Sequence, residues 1–261
     1  MQLLSIDCGN SNFPADIRLP DVPSQRDLKF LEGIARSALP EDPTPSLDDI
    51  QRQPDVKPLG APQPAPQQPL RDVRLVVIGS DAALSAVLTR LMRQDDMWIQ
   101  VGFVPTGPSV VAQNWGLPKD AWEFATQAAA TPAPLIRDDA GIAVAGSATI
   151  TEWDNAELVG EIIVDDHVLL HSEQQINNFG ARLVPTSGAP GIAAVKRINP
   201  RPRLFKKEYD PATLATGRAL QVGGQNVRVL VDGISRKRPV ERATFYRHLR
   251  DAQLVMRNQN P

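Results

Sequence analysis

LVVIGSDAALSAVL, residues 75–88, is the stretch on which the reading of the whole chain turns. Four apolar residues, Leu75 to Ile78, form a buried-strand pattern and end at the turn Gly79-Ser80-Asp81. The segment that follows places Leu84, Val87, Leu88 and Leu91 on one helical face. Strand, short turn and helix are the outline of a phosphate-handling unit. A turn that cradles phosphate normally carries more glycine than this, because only glycine allows the closest backbone approach. Three readings follow: a working nucleotide site, a degraded one, or an ordinary strand–helix connection.

Working outward, residues 71–136 keep alternating strand and helix. WIQVGFVP (98–105) reads as a second strand, PSVVAQNWGL (108–117) as a short helix, and KDAWEFATQAAA (119–130) as a further helix closed by Pro132. That alternation predicts a parallel sheet covered by helices. After about residue 140 come short β-type runs split by Gly, Pro and Asn: GIAVAGSATITEW, ELVGEIIVDDHVLLHSE, ARLVPTS, GIAAVKRI, PRLFKKEY, ALQVGG, NVRVLVDG, ATFYRHL and AQLVMR. These predict an antiparallel β-sandwich. Before residue 71 lie half of the 24 prolines. PLGAPQPAPQQPL (58–70) reads as an extended linker. RDLKFLEGIARSAL (26–39) reads as one short helix with Leu28, Leu31, Ile34, Ala35 and Leu39 at near-helical spacing. The expected organisation is a Pro-rich arm (1–70), a small α/β lobe (71–138) and a β-sandwich lobe (139–261).

With 261 residues, 42% of them hydrophobic, the chain can bury a substantial core. It has no run of 18 apolar residues and no basic, apolar leader, so a cytoplasmic location is the default expectation. Cys8 is the single cysteine, which excludes an intrachain disulfide and a Cys-rich zinc site. Charge is uneven. Residues 189–261 carry 15 basic and 5 acidic groups, whereas residues 71–188 carry 7 and 15. Such a segment either offers a surface to an anionic lipid or membrane, or balances the acidic half internally. A nucleic-acid partner is disfavoured, and the Pro-rich arm offers a surface for a protein partner.

The strand–turn–helix of residues 75–88 resembles the catalytic domain of the diacylglycerol kinase family, which shares a two-lobe plan with NAD kinases and sphingosine kinases. Where that family has GGDGT, this chain has Gly79-Ser80-Asp81-Ala82-Ala83. Where it has a strand ending in Pro, then GTGND and a Leu-Gly-aliphatic-Pro turn, this chain has VGFVPTGPSVVAQNWGLP (101–118). The entry Val-Gly-X-X-Pro and the exit Gly116-Leu117-Pro118 are kept, the interval is one residue shorter, and Thr106-Gly107-Pro108-Ser109-Val110 fills the middle. A third echo is Val231-Asp232-Gly233, like the family's Val-Asp-Gly-Glu strand end. The likeness spans roughly residues 72–245; the family's first strand and helix have no clear counterpart in the arm.

The resemblance implies an ATP-dependent lipid kinase using Mg, with Asp81 as its catalytic carboxylate. It also implies phosphate contacts from Gly79, Ser80, Asp81, Ala82, Ala83, Thr106, Gly107 and Ser109. The chain departs from that pattern at the positions that matter most. Ser80, Ala82 and Ala83 replace Gly, Gly and Thr; Pro108 has no N–H to give a phosphate; Ile234 stands where the family has Glu. At Ala189-Pro190-Gly191 the family's carboxylate pair is missing. Phosphoryl transfer rests on metal, positioning and electrostatics. The expectation is therefore a pseudokinase acting in binding or scaffolding. An active lipid kinase with a diverged loop and an ATP- or lipid-sensing module are the alternatives.

Other features read more plainly. Asp165, Asp166, His167 and His171 could be arranged around a metal, but an Asp-Asp pair between apolar runs is more often a hairpin turn. KRINPRPRLFKK (196–207) and Arg236-Lys237-Arg238 are candidates for a basic patch. IDCGNSN (6–12) resembles the first phosphate loop of actin-like and pantothenate kinases, yet the Pro-rich sequence after it favours coincidence.

Overall fold

The computed structural model describes residues 1–9, 11–53, 60–172, 178–199 and 207–257. Its first layer is a parallel sheet. Strand β1 (Gln2–Cys8) pairs in parallel with β2 (Ile17–Leu19) on one side and with β3 (Val73–Gly79) on the other. Between β2 and β3 lie a single 3-10 turn over Asp27–Phe30, helix α1 (Leu31–Ala38) and helix α2 (Leu47–Gln51). The first 70 residues are therefore no arm set apart: they supply two strands of the sheet, and Leu28 of the 3-10 turn with Leu31, Ala35 and Ala38 of α1 is buried in the lobe's core.

Every residue of β3 is buried, because parallel neighbours flank it and helices cover its faces. Helix α3 (Asp81–Gln94) follows at once, capped by the Ser80 hydroxyl, which accepts from the Ala83 amide. Then come β4 (Gln100–Pro105), parallel to β3, α4 (Val110–Asn114) and α5 (Ala121–Gln127). The α5 helix is shorter than the pattern of residues 119–130 predicts. Ala128 turns extended, and Pro132 lies in β5 (Thr131–Ala133) instead of stopping a helix. Arg74, inside β3, reaches the end of α5 and gives hydrogen bonds to the carbonyls of Ala125 and Thr126 and to Gln100. Those are the carbonyls a helix leaves unpaired at its end.

The chain crosses into the second lobe at β6 (Ile136–Asp138) and β7 (Ala143–Val144), followed by β8 (Ala148–Glu152). The hairpin of β9 (Gly160–Val164) and β10 (His167–Ser172) is next, then β11 (Ala181–Pro185), β12 (Ile192–Arg197) and β13 (Tyr209–Gly217). The long β14 (Ala219–Val231) absorbs two of the predicted runs, ALQVGG and NVRVLVDG, into one strand. Its first half lies between β9 and β16 (Val240–Arg247), and its second half pairs with β8 and with β15 (Ile234–Ser235). A bulge between Gly223 and Val227 separates the halves. One strand thus joins much of an 11-stranded sheet, and all its described pairings are antiparallel.

The last strand, β17 (Ala252–Leu254), leaves the β lobe and inserts into the first sheet, parallel to β4 and antiparallel to β5. AQLVMR therefore belongs to the α/β lobe, a second departure from the expected boundaries. Order in the first sheet is β2-β1-β3-β4-β17-β5. Among the described residues no helix is long and apolar enough to cross a membrane. Of the predicted basic run 196–207 and the run PRLFKKEY, residues 200–206 lie outside the described residues, as do residues 58–59 of the expected linker.

Candidate functional site at the carboxyl edge of the parallel sheet

Strand order reverses between β1 and β3: the chain moves outward from β1 to β2, and from β3 to β4. In open α/β sheets the crevice at the carboxyl ends of such a pair is where ligands bind. At this edge the backbones of β1 and β3 run close together. A Cβ on Gly79 would stand 2.7 Å from the Cys8 carbonyl oxygen and 3.2 Å from the Ala83 Cβ. Gly79 is thus needed so that β1 and β3 can converge. The loop after β1 that looked like coincidence does end at this edge. Cys8 within it is buried, and burial with Asp7 and Asp21 nearby pushes its thiol up to about 12. Asp7 is held by the Ser11 amide and by Arg18 at 3.0 Å.

Asp81, the candidate catalytic carboxylate, points across to α4. It accepts from the Ser109 hydroxyl, from the Val110 amide at 2.8 Å and from the Val111 amide at 3.3 Å. Ser109 in turn accepts from the Ala112 amide at 2.9 Å. Asp81 and Ser109 together satisfy the amides that begin α4.

Asp232, at the end of β14, does the matching job in the other lobe. Its carboxylate accepts from the amides of Ala145, Gly146 and Ser147, each at 2.8 Å. Burial pushes it up to about 7 in spite of those three donors, and the Asp81 charge pushes the same way. Gly146 lies between the two: a Cβ there would be 3.0 Å from Asp81 Oδ2, 3.0 Å from Val111 Cγ2 and 3.1 Å from Asp232 Oδ1. Asn114 also bonds the Gly146 carbonyl, at 2.9 Å. The three sequence echoes, apart in the chain, converge on this glycine. Asp232 was absent from the expected site residues although its Val-Asp-Gly motif was visible. Among the described residues neither carboxylate has a cationic partner.

The remaining candidates divide. Ala82 and Ala83 are buried, and Ala83 belongs to the core of the α/β lobe. Ser80 is exposed with its hydroxyl engaged as the α3 cap. Thr106, Gly107 and Pro108 form an exposed turn, and a Cβ on Gly107 would touch nothing within 4 Å. The loop 186–191 closes on itself, Thr186 bonding Gly191 and Gly188. A cavity lined by Leu88, Trp115, Val144, Thr186 and Met256 has a volume of about 20 Å³, room for about one water. The Asp165 turn is a hairpin turn, with φ of +51° and a carboxylate accepting from the Arg218 and Ala219 amides. Among the described residues no three His, Cys, Asp or Glu are grouped to hold a metal. Of the basic cluster after β15, Arg236 is paired with Asp138 at 2.7 Å and with Asp139, while Lys237 and Arg238 are exposed.

Comparison with known proteins bears on the fold. No family model matches the sequence, and no curated protein matches it. Among solved structures, a diacylglycerol kinase from Bacillus anthracis strain Sterne aligns over 98% of this chain and 97% of its own at 10% identity, TM-score 0.56. Another Bacillus anthracis structure with the same assignment aligns over 98% and 97% at 10% identity with TM-score 0.62. An NAD kinase from Archaeoglobus fulgidus in complex with ATP aligns over 99% and 94% at 12% identity, TM-score 0.49. The chain has the two-lobe fold of the diacylglycerol kinase structures.

Proposed function

We propose that this protein is a non-catalytic member of the diacylglycerol kinase-like group, a binding or scaffolding module that kept the kinase architecture as a frame. The observation that carries this reading is the use of Asp81 and Asp232 as internal acceptors. Six hydrogen bonds from backbone amides and Ser109 take up both carboxylates and tie α4 and the β7–β8 turn into place. The other residues do not fit a nucleotide triphosphate with Mg. Ala82 is buried where a glycine would open the turn, Ala83 is buried where a threonine hydroxyl would stand, and Pro108 has no amide to give.

The test pairs a transfer assay with a stability measurement. Labelled ATP with Mg is offered together with diacylglycerol, a sphingoid base or NAD, and no transfer is expected. Asp81→Asn is expected to lower Tm without changing any activity. Transfer that Asp81→Asn abolishes at unchanged Tm would overturn the reading, since it would make Asp81 a reacting group and not an anchor.

A further inference from the structure

Residues 60–70 cross the opposite, amino edge of the parallel sheet as a strap that is neither helix nor strand. Proline shapes this backbone: its ring fixes φ near about −65° and pushes the preceding residue into extended conformations. The body grips the strap at intervals. The Gly60 carbonyl accepts from Arg247 at 2.7 Å, and the Gln63 amide donates to Asp251 at 2.9 Å. The Gln67 side chain donates to Asp42 at 3.1 Å, and the Leu70 amide to the Ala38 carbonyl at 2.8 Å.

The strap runs into β3 through Pro66-Gln67-Gln68-Pro69-Leu70-Arg71. An extended Pro-rich chain turns once every three residues. Pro66 and Pro69 therefore share one side, Gln68 and Arg71 a second, and Gln67 and Leu70 a third. The body holds the third side: Gln67 is buried and Leu70 gives its amide to Ala38, though the Leu70 side chain is 79% exposed. On the other two sides Pro66, Gln68 and Arg71 are exposed and Pro69 is half-buried. Arg71 donates only to neutral partners, from Nε to Gln2 at 2.9 Å and from Nη2 to Ser37 at 2.7 Å. Among the described residues it has no carboxylate partner, and its Nη1 donates to none of them.

We propose that Pro66–Arg71 is a docking surface for a partner domain with an aromatic-lined groove and an acidic rim, of the SH3 kind. Such grooves take Pro-x-x-Pro segments in their preformed extended shape. A groove can embrace two sides of a three-sided ligand; the third is the side the body already holds. Pro66 and Pro69 enter the groove, and Arg71 meets a carboxylate at its rim. Holding the segment in place beforehand lowers the ordering cost of binding. Residues 66–71 precede β3 and Asp81 follows it, so the surface lies at the far end of that strand from the carboxylate. The proposal therefore stands or falls apart from the non-catalytic reading.

The experiment titrates isotope-labelled SH3 domains that select Pro-x-x-Pro-x-Arg ligands with the unlabelled full chain, read by two-dimensional NMR. Shifts confined to the aromatic groove and saturating by about 100 μM chain are expected; absence of saturable shifts overturns the proposal. A WW domain that reads Pro-Pro-x-Tyr, a motif this chain lacks, is the control, and equal binding there also overturns it. Pro66→Ala and Arg71→Glu are each expected to weaken SH3 binding at least about tenfold, while Leu70→Ala stays within about twofold. If Arg71→Glu alters the circular dichroism spectrum, Pro66→Ala, at an exposed position, decides with Leu70→Ala. An equal loss in Leu70→Ala would put the wrong side of the segment in the groove. Unchanged affinity in Pro66→Ala, or in a folded Arg71→Glu, would remove the assigned contacts; any of these results sinks the assignment.

Discussion

The two edges of the parallel sheet differ in what their polar groups have left to do. At the carboxyl edge the acceptors are matched: Asp7, Asp81 and Asp232 each hold donors from their own chain, and Gly79 lets β1 close against β3. At the amino edge groups of both kinds are left over: among the described residues the buried donors Arg247 Nε and Arg250 Nη1 and the buried acceptors Gln67 Oε1 and Asp95 Oδ1 have no partner. Position in the fold marks the first edge as the place for a ligand. The second edge holds unmet hydrogen-bonding capacity instead, on donors and acceptors alike and out of reach of solvent.

The largest effect expected at the carboxyl edge is that of Asp232→Ala, which strands three amides. At about 1–3 kcal/mol for a buried group left unpaired, partly offset by relief of the repulsion with Asp81, a loss of about 3 kcal/mol is expected in urea unfolding. A loss under about 0.5 kcal/mol would mean the carboxylate is free to take a ligand. Ser109→Ala removes a cap and a donor to Asp81 and should cost about 1 kcal/mol by the same measurement.

The pH dependence offers a second handle. Asp232 is raised in the fold, so its contribution is present at low pH and lost as pH rises through about 7. Stability should therefore increase by about 1 kcal/mol between pH 8 and 6.5, and Asp232→Asn should flatten that slope. Below that window His248 acts oppositely: lowered to about 4, it contributes stability above its unfolded value that falls away as pH drops toward 4. The smallest effect belongs to Gly107→Ala. A Cβ there meets nothing, so thermal melting should shift by less than about 0.5 kcal/mol in equivalent stability, with or without Mg-ATP. A clear shift seen only with Mg-ATP would reopen the carboxyl edge as a nucleotide site.

Much of this was legible beforehand, and the omissions have physical causes. The β3–turn–α3 unit could be read because a fully buried parallel strand is a continuous apolar run and Ser80 is a recognisable cap. β1 could not, because its outward Leu3 and the neighbouring prolines hide a seven-residue strand, and its connection to β2 contains no helix. AQLVMR looked like any other short strand, since periodicity reveals a strand's faces and not its partner. Asp232 belongs to a motif visible in the sequence, but only folding shows that it and Asp81 meet at Gly146. The unpartnered arginine nitrogens have no sequence signature at all: Arg247 and Arg250 counted simply as charge in a basic segment.

The placement of β17 has a consequence for how the molecule assembles. Residues 252–254 stand between β4 and β5, so the first sheet cannot close until nearly all of the described chain has been synthesised. Pairings that distant in sequence form late and slowly. Until then β4 and β5 present unfilled edges, and completion of the lobe that begins the chain waits on a strand that follows the whole β lobe in sequence.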